Sequence, residues 1–129
     1  MSKRVFEGPI KAAGAPYSPA VAAGGFIFLS GQIPLDPESR QLVGGDIEEQ
    51  ARQTLENLRG ALDAAGCGPA DVVKTTVYLT DMSHYAAVNA VYAEMFTTDP
   101  PARTAIAVAA LPFGALIEID AIAIAPSAS

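Results

Sequence analysis

The strongest constraint on the fold is an amphipathic segment that covers residues 46–65. Its apolar side chains recur at three- and four-residue steps and would lie along one face of a helix: Ile47, Ala51, Leu55, Leu58, Leu62 and Ala65. Asp46 stands three residues before Glu49, a pairing typical of a helix start, and Gly66 suits the left-handed residue that ends a helix. A long helix with one apolar face needs another layer to cover that face.

A second helix is predicted from a Ser83 cap through His84 to about Phe96. The two prolines that begin at Pro100 prevent it from continuing. The remaining apolar segments have strand patterns: residues 26–30, 72–79, 103–109 and 116–124, together with a short pair of strands around Val5 and Val43. A turn at residues 112–114 separates the last two segments, so we expect them to pair as a terminal hairpin.

The order of these elements indicates an α+β fold, with a mixed sheet that carries both helices on one face. The length of 129 residues fits one domain, which we expect to cover residues 1–129. Only 17% of the residues are charged, against roughly 25% in an average soluble domain. We therefore expect some of the surface to be buried in an oligomer.

The chain carries 14 acidic residues against 8 lysines and arginines, a net charge of -6 that opposes binding to a nucleic-acid backbone. A single cysteine, Cys67, cannot form an internal disulfide, and the basic N-terminus lacks the apolar segment of a secretion signal. No apolar stretch approaches the ~20 residues that a membrane helix needs. These features favour a cytoplasmic protein with neither a nucleic acid nor a membrane as its partner.

The last predicted strand contains two carboxylates, Glu118 and Asp120, within an otherwise apolar row. Side chains alternate along a strand, so both acids lie on the face that carries Leu116, Ile122 and Ile124. One interpretation is a solvated face, which is the commoner situation for such acids. The other is a half-buried acid that orients water or accepts a proton. The pattern does not choose between them.

Arg103 is the only lysine or arginine after Lys74, and it stands among several acids. The predicted hairpin would bring it near Glu118. A guanidinium at that position can hold a small substrate carboxylate through two parallel hydrogen bonds. An ordinary salt bridge from Arg103 to Glu118 or Asp99 is about equally compatible with the sequence.

Three further polar residues are candidates for a site. Tyr17 lies in a Pro-Tyr-Ser-Pro turn and Ser30 ends an apolar strand, so both could donate hydrogen bonds to a ligand. The simpler alternatives are a tyrosine ring packed over a loop and a serine bonded to the backbone. Asn89 lies four residues after Tyr85 on the second helix and is equally explained as a buried amide with satisfied hydrogen bonds.

Several reaction classes lack the side chains they need. His84 and Cys67 are the only histidine and cysteine, which leaves no material for a histidine-dependent triad or a histidine and cysteine metal site. The paired glycines at residues 24–25 and 44–45 lack the dinucleotide fingerprint and the Walker lysine, so they indicate turns. Neither a metal nor a nucleotide cofactor is expected.

Short motifs in a fixed order give the chain a resemblance to the RidA/YjgF family of imine and enamine deaminases. Each motif is weak alone, but together they cover nearly the whole chain in a specific order and spacing. They are residues 14–20 (GAPYSPA), 29–34 (LSGQIP), 50–58 (QARQTLENL) and 73–79 (VKTTVYL), followed by Val88-Asn89, Pro101-Ala102-Arg103 and Ile117-Glu118-Ile119.

The resemblance implies a chorismate-mutase-like α+β fold that assembles as a homotrimer, with a cleft between neighbouring subunits. It implies hydrolysis of 2-imino acids, or of their 2-enamine tautomers, to 2-oxo acids and ammonia without a cofactor. The expected substrates are 2-iminopropanoate and 2-iminobutanoate. By the same resemblance, Arg103 would bind the substrate carboxylate and Glu118 would position or activate water. Four further residues would complete and shape the pocket: Tyr17, Ser30, Gly31 and Asn89.

Two residues beside the arginine depart from the common family pattern. Thr104 replaces a smaller or apolar residue, and Ala105 stands where many members have cysteine. A backbone group of Ala105 could still contact the substrate. Regulation through a thiol at that position is put in doubt.

Two alternatives to this activity stay open. The same pocket could act on aminoacrylate or on a larger enamine in a catabolic pathway. A protein of another class would be a non-catalytic binding or chaperone-like trimer, or a ribonuclease. The net charge of -6 argues against the ribonuclease.

Overall fold

The computed structural model describes residues 2–11 and 14–126. Within them, six strands form one mixed sheet in the order β1-β2-β3-β6-β4-β5, and two helices pack on one of its faces. The α+β prediction is confirmed. The elements are β1 (Arg4–Phe6), β2 (Ala20–Ala23), β3 (Phe26–Gln32), α1 (Ile47–Ala64), β4 (Val72–Leu79), α2 (Tyr85–Met95), β5 (Ala102–Ala107) and β6 (Ile117–Ile124).

Helix α1 begins and ends where the sequence predicts. The Asp46 side chain accepts a hydrogen bond from the Glu49 backbone amide at 3.0 Å, which satisfies one of the free donors of the first turn. Gly66 has a φ of 80°, the left-handed conformation that follows many helix ends. The apolar stripe is fully buried at Leu58 and Leu62, where it covers the sheet.

The start of the second helix differs from the prediction. The side chain of Asp81, not that of Ser83, caps this region, because its Oδ1 atom accepts from the Ser83 amide at 2.8 Å. Ser83 therefore lies inside a 3₁₀ turn that covers Met82–His84, and α2 begins at Tyr85. A carboxylate placed two residues earlier is the stronger acceptor for the free amides of this turn.

The terminal hairpin prediction is wrong. Strand β5 pairs parallel with β4, and β6 runs antiparallel between β3 and β4. Strand β6 buries Ile117 and Ile119 completely, so it is suited to the middle of the sheet, whereas the largely exposed β5 is suited to an edge. The connection from β5 to β6 passes the end of β4, where Val108 donates to the Leu79 carbonyl at 2.8 Å.

The prediction of a short pair of strands around Val5 and Val43 is right for Val5 and wrong for Val43. Val5 lies in β1, which pairs with β2 at Val21. Val43 lies outside the strands and donates its amide to the Pro34 carbonyl at 2.9 Å. Strand β2 consists of alanine and valine alone and was not predicted, although the Gly24-Gly25 turn after it, with φ of 61° and 85°, is suited to a tight hairpin with β3.

The two faces of the sheet have different surroundings. One face is covered by α1 and α2 and forms the core. The opposite face is free of helices within the described residues and presents apolar side chains that are about half exposed: Phe26, Phe28, Ile106 and Ile124. Large apolar side chains on an open sheet face form a surface that is unfavourable to leave in contact with water.

Candidate functional site

A cavity of about 350 Å³ opens on the helix-free face of the sheet, beside the end of β3. Four of the predicted site residues line it: Tyr17, Ser30, Gly31 and Glu118. We refer to it as the glutamate cavity. The described residues that line it include no lysine or arginine.

A bulge in β3 shapes this cavity. Leu29 pairs with Ala121 and Gln32 pairs with Ile119, so a step of three residues along β3 matches a step of two residues along β6. The bulge contains Gly31, and the Glu118 carboxylate lies across it. A Cβ atom on Gly31 would overlap the Oε2 atom of Glu118. Glycine at this position is therefore what allows Glu118 to enter the cavity.

Glu118 is half-buried, and its pKa is raised above the usual value for a glutamate. Burial is the larger cause, and the negative charge of Asp120 on the same face is the second. Asp120 is held differently, because its two oxygens accept from the Tyr78 hydroxyl at 2.9 Å and the Thr76 amide at 3.2 Å. Of the two interpretations left open by the sequence, the half-buried acid describes Glu118.

The hydroxyl groups of Ser30 and Tyr17 differ in their existing hydrogen bonds and in their surroundings. The Ser30 hydroxyl donates to the Ser18 carbonyl at 2.6 Å, the backbone bond that was the simpler alternative. Its lone pairs can still accept a hydrogen bond. Tyr17 is 44% exposed, with its ring 5.9 Å from the Lys11 ammonium, and its side chain faces the cavity.

A second concavity, of about 370 Å³, contains Arg103 and Asn89. We refer to it as the arginine hollow. Arg103 lies on two rings of α2: its guanidinium carbon is 4.8 Å from the Tyr92 ring centre and 5.4 Å from that of Tyr85. Its Nη2 atom donates to the Tyr85 hydroxyl at 3.0 Å. The Tyr92 ring is fixed in turn, because its hydroxyl shares a 2.7 Å hydrogen bond with Thr75.

The salt bridge considered for Arg103 does not form within the described residues, where both ion pairs involve Arg52. The carboxylates Glu118 and Asp99 are absent from the described lining of the arginine hollow. A planar guanidinium that rests on aromatic rings keeps hydrogen-bond donors for an anion that enters from solvent.

Asn89 lines the arginine hollow, whereas Ala105 is absent from its described lining. The Oδ1 atom of Asn89 is buried and has no hydrogen-bond partner in the part of the chain that the structure describes, so the alternative of a satisfied amide does not hold. Such an atom is suited to accept an N–H from a ligand. Ala105 packs its methyl group against the core, and it belongs to the edge strand β5, which leaves alternate backbone groups unpaired in the single chain.

Arg103 and Glu118 lie on opposite faces of the sheet in one chain. Arg103 pairs in register with Thr75, whose side chain faces the helices, while Glu118 pairs with Tyr78. Thr75 and Tyr78 are three residues apart on β4, and an odd spacing along a strand means opposite faces. The structure therefore brings Tyr17, Ser30, Gly31 and Glu118 together, and Arg103 with Asn89, but it does not join the two groups.

Three residues that contribute to these sites were not predicted as such. Tyr85 and Tyr92 are seven residues apart on the second helix, a spacing that places both rings on one face under a cation. Phe113 lines the glutamate cavity, although it looks like an ordinary turn residue in the sequence. No local pattern distinguishes it.

Residues 2–11 and 14–126 contain no group of three or more histidine, cysteine, aspartate or glutamate side chains that could hold a metal ion. None of the described helices combines the length and the apolar character needed to cross a membrane.

Comparison with known proteins agrees with the fold and identifies related chains. Residues 9–125 match the family described as Endoribonuclease L-PSP. A RutC family protein of Pyrococcus horikoshii is 54% identical over 108 residues, which cover 84% of this chain and 86% of that protein. The human protein named 2-iminobutanoate/2-iminopropanoate deaminase is 51% identical over 116 residues, which cover 88% of this chain and 85% of that protein.

Solved structures give the same result for the three-dimensional fold. The crystal structure of the yeast protein YEO7 superposes with a TM-score of 0.92 at 40% sequence identity, covering 97% of this chain and all (100%) of that one. The mixed sheet and its helices are thus shared along almost the entire described chain.

Proposed function

The chain belongs to the Endoribonuclease L-PSP family, the RidA/YjgF group, and from that premise we propose that it is a hydrolytic deaminase of 2-imino acids and their 2-enamine tautomers. The single observation that carries the proposal is Glu118, a half-buried carboxylate with a raised pKa in a cavity that the chain leaves open for it through Gly31. Such a carboxylate is suited to exchange a proton with water.

The reaction converts a protonated 2-imino acid and one water into a 2-oxo acid and an ammonium ion. The water oxygen forms a bond to C2, the C–N bond breaks, and both water protons finish on the departing nitrogen. Glu118 would accept the first proton from the attacking water and return it to the nitrogen. The iminium carbon is already electrophilic, so a carboxylate and a fixed substrate are sufficient machinery.

Arg103 would bind the substrate carboxylate through parallel hydrogen bonds. The Tyr85 and Tyr92 rings hold the guanidinium in one orientation, which lowers the entropy lost when the substrate binds. The Oδ1 atom of Asn89 would accept an N–H, and the Tyr17 hydroxyl would donate from the opposite side of the substrate. The Ser30 oxygen and a backbone group of Ala105 would complete the contacts.

This mechanism requires two copies of the chain for each site. The glutamate cavity and the arginine hollow are separate surfaces, so a complete site would form where the first surface of one copy meets the second surface of the next. A contact between two different surfaces repeats until the ring closes. We propose that the ring is a homotrimer with three equivalent sites. Apolar side chains on the helix-free sheet face, including Phe28 and Ile106, support burial of this face in the ring.

The activity is tested by generating 2-iminobutanoate from threonine with a dehydratase and trapping the remaining imine with semicarbazide. We expect the purified protein to lower the amount of trapped imine and to speed the appearance of 2-oxobutanoate. An Arg103→Ala protein purified in parallel controls for contaminating activity. Unchanged imine decay with the wild-type protein would overturn the proposal.

A further inference from the structure

Phe113 is the most exposed of the large apolar side chains in the described residues, at 67% of its surface. Its backbone has φ of 61° and ψ of 12°, in the left-handed region that residues other than glycine and asparagine rarely adopt. Both features are unfavourable for folding of the isolated chain. Strain of this kind at an exposed position points to a functional role for the side chain that is held there.

The position of Phe113 in the glutamate cavity gives that side chain a use. The cavity is lined by polar and by apolar side chains. The polar ones are Tyr17, Ser30, Gln32 and Glu118, and the apolar ones are Ile10, Ile33, Leu35, Pro112 and Phe113. A cavity of about 350 Å³ with both kinds of lining can hold a polar reacting group and an apolar side chain at the same time.

We propose that Phe113 sets substrate specificity by forming an apolar wall for the side chain of the imine. The preferred substrates would then be 2-imino acids with a branched or longer alkyl side chain, as in the imine derived from leucine, over 2-iminopropanoate. This inference rests on the proposed function, because it assigns a side-chain subsite to the same Glu118 cavity. A methyl group alone would leave most of the apolar wall in contact with water.

Phe113 lies in a 3₁₀ turn that covers Pro112–Gly114, and Ala115 and Leu116 separate this turn from β6. Its position is therefore coupled through only a few residues to that of Glu118. Gly114 also has a positive φ, of 75°, so the chain could reverse at this point without an aromatic residue. The ring is thus not required by the turn itself.

The test compares two imines produced in place by a D-amino-acid oxidase, one from D-alanine and one from D-leucine. The imine carbon is planar, so either enantiomer of the amino acid gives the same substrate. The proteins are the wild type, Phe113→Asn and Phe113→Leu. Asparagine tolerates the left-handed backbone but removes the apolar wall, whereas leucine keeps an apolar wall and the same backbone cost.

For Phe113→Asn, we expect the ratio of kcat/KM for the leucine imine to that for the alanine imine to fall by about tenfold, the usual scale for lost apolar contacts in a pocket. Phe113→Leu should keep most of the wild-type ratio. An unchanged ratio in Phe113→Asn, or loss of the oligomer in that variant, would overturn the inference, since the ring would then have no role in specificity or a role in assembly. Failure of the wild type on both imines would instead overturn the proposed function.

Discussion

The glutamate cavity and the arginine hollow hold their charged groups in opposite ways. Glu118 is placed where burial and a neighbouring carboxylate disfavour its charge, as its raised pKa indicates. Arg103 is placed on two tyrosine rings, where its charge is favoured. In the proposed mechanism, the first region exchanges a proton with water and the second, with its permanent positive charge, binds the substrate anion. Neither region alone has both functions needed for a 2-imino acid.

The largest expected effect comes from removing the cation. Arg103→Ala should lower kcat/KM for a 2-imino acid by at least about a hundredfold, because two charge-assisted hydrogen bonds to the substrate carboxylate are lost. Arg103→Lys should recover only part of the loss, since an ammonium cannot form the same parallel pair. Steady-state kinetics measures both variants. Full activity of Arg103→Ala would remove this residue from the mechanism.

Displacing the carboxylate should have the next largest effect. Gly31→Ala places a methyl group where the Glu118 carboxylate now lies, so the acid must move, and we expect kcat to fall by about tenfold to a hundredfold. Gly44→Ala is the matched control, because nothing lies within 4 Å of a Cβ at Gly44 and its φ is not positive. Equal activity of the two variants would contradict the close approach of Glu118 to β3.

Loosening the support of the cation should have a smaller effect. Tyr85→Phe keeps the ring beneath Arg103 but removes the hydroxyl that accepts a 3.0 Å hydrogen bond from it. We expect KM to rise about three- to tenfold with little change in kcat, the scale of one hydrogen bond. Tyr85→Ala should raise KM further, because the cation–π contact is lost as well. An unchanged KM in both variants would mean that Tyr85 does not position the arginine.

The smallest effect concerns pH. Glu118 must be ionised to accept a proton, so activity should fall as the pH drops through its pKa. Asp120 raises that pKa, so Asp120→Asn should move the acidic limb of the kcat profile to lower pH, while burial, the larger cause, keeps the pKa raised. The exposed Asp63→Asn variant changes the net charge equally and should leave the limb in place. A limb that moves equally in both variants would contradict a local effect.

The helices, the long strands and the two charged candidates for the site, Arg103 and Glu118, follow from local patterns. Gly31 and Ala105 were expected only from the family resemblance. The periodicity of residues 46–65 predicts a helix, and the pattern of residues 72–79 predicts a strand. Arg103 and Glu118 stand out because charged residues are rare after Lys74. Strand pairing does not follow in the same way. A strand such as β6 can pair with any neighbour of suitable polarity. Its position between β3 and β4, with hydrogen-bonded neighbours on both sides, is seen only in the folded chain.

The incorrect hairpin had one consequence for the site. The hairpin would place Arg103 beside Glu118 in the same chain. In the structure, β4 lies between the strands that carry these two residues, and their side chains are on opposite faces of the sheet. The left-handed backbone of Phe113 and the close approach of the Glu118 carboxylate to Gly31 are likewise results of three-dimensional packing. These features have no signature in residue spacing.

The central claim, that each site is built from two copies of the chain, is tested most directly by mixing two inactive proteins. Arg103→Ala supplies an intact glutamate cavity and Glu118→Gln supplies an intact arginine hollow. If neighbouring copies share the site, random co-assembly in equal amounts should restore about one quarter of the wild-type sites, since each site takes one surface from each of two copies. Activity near that level, from two proteins that are nearly inactive alone, is the predicted result. No recovery in oligomers shown to contain both chains would contradict it.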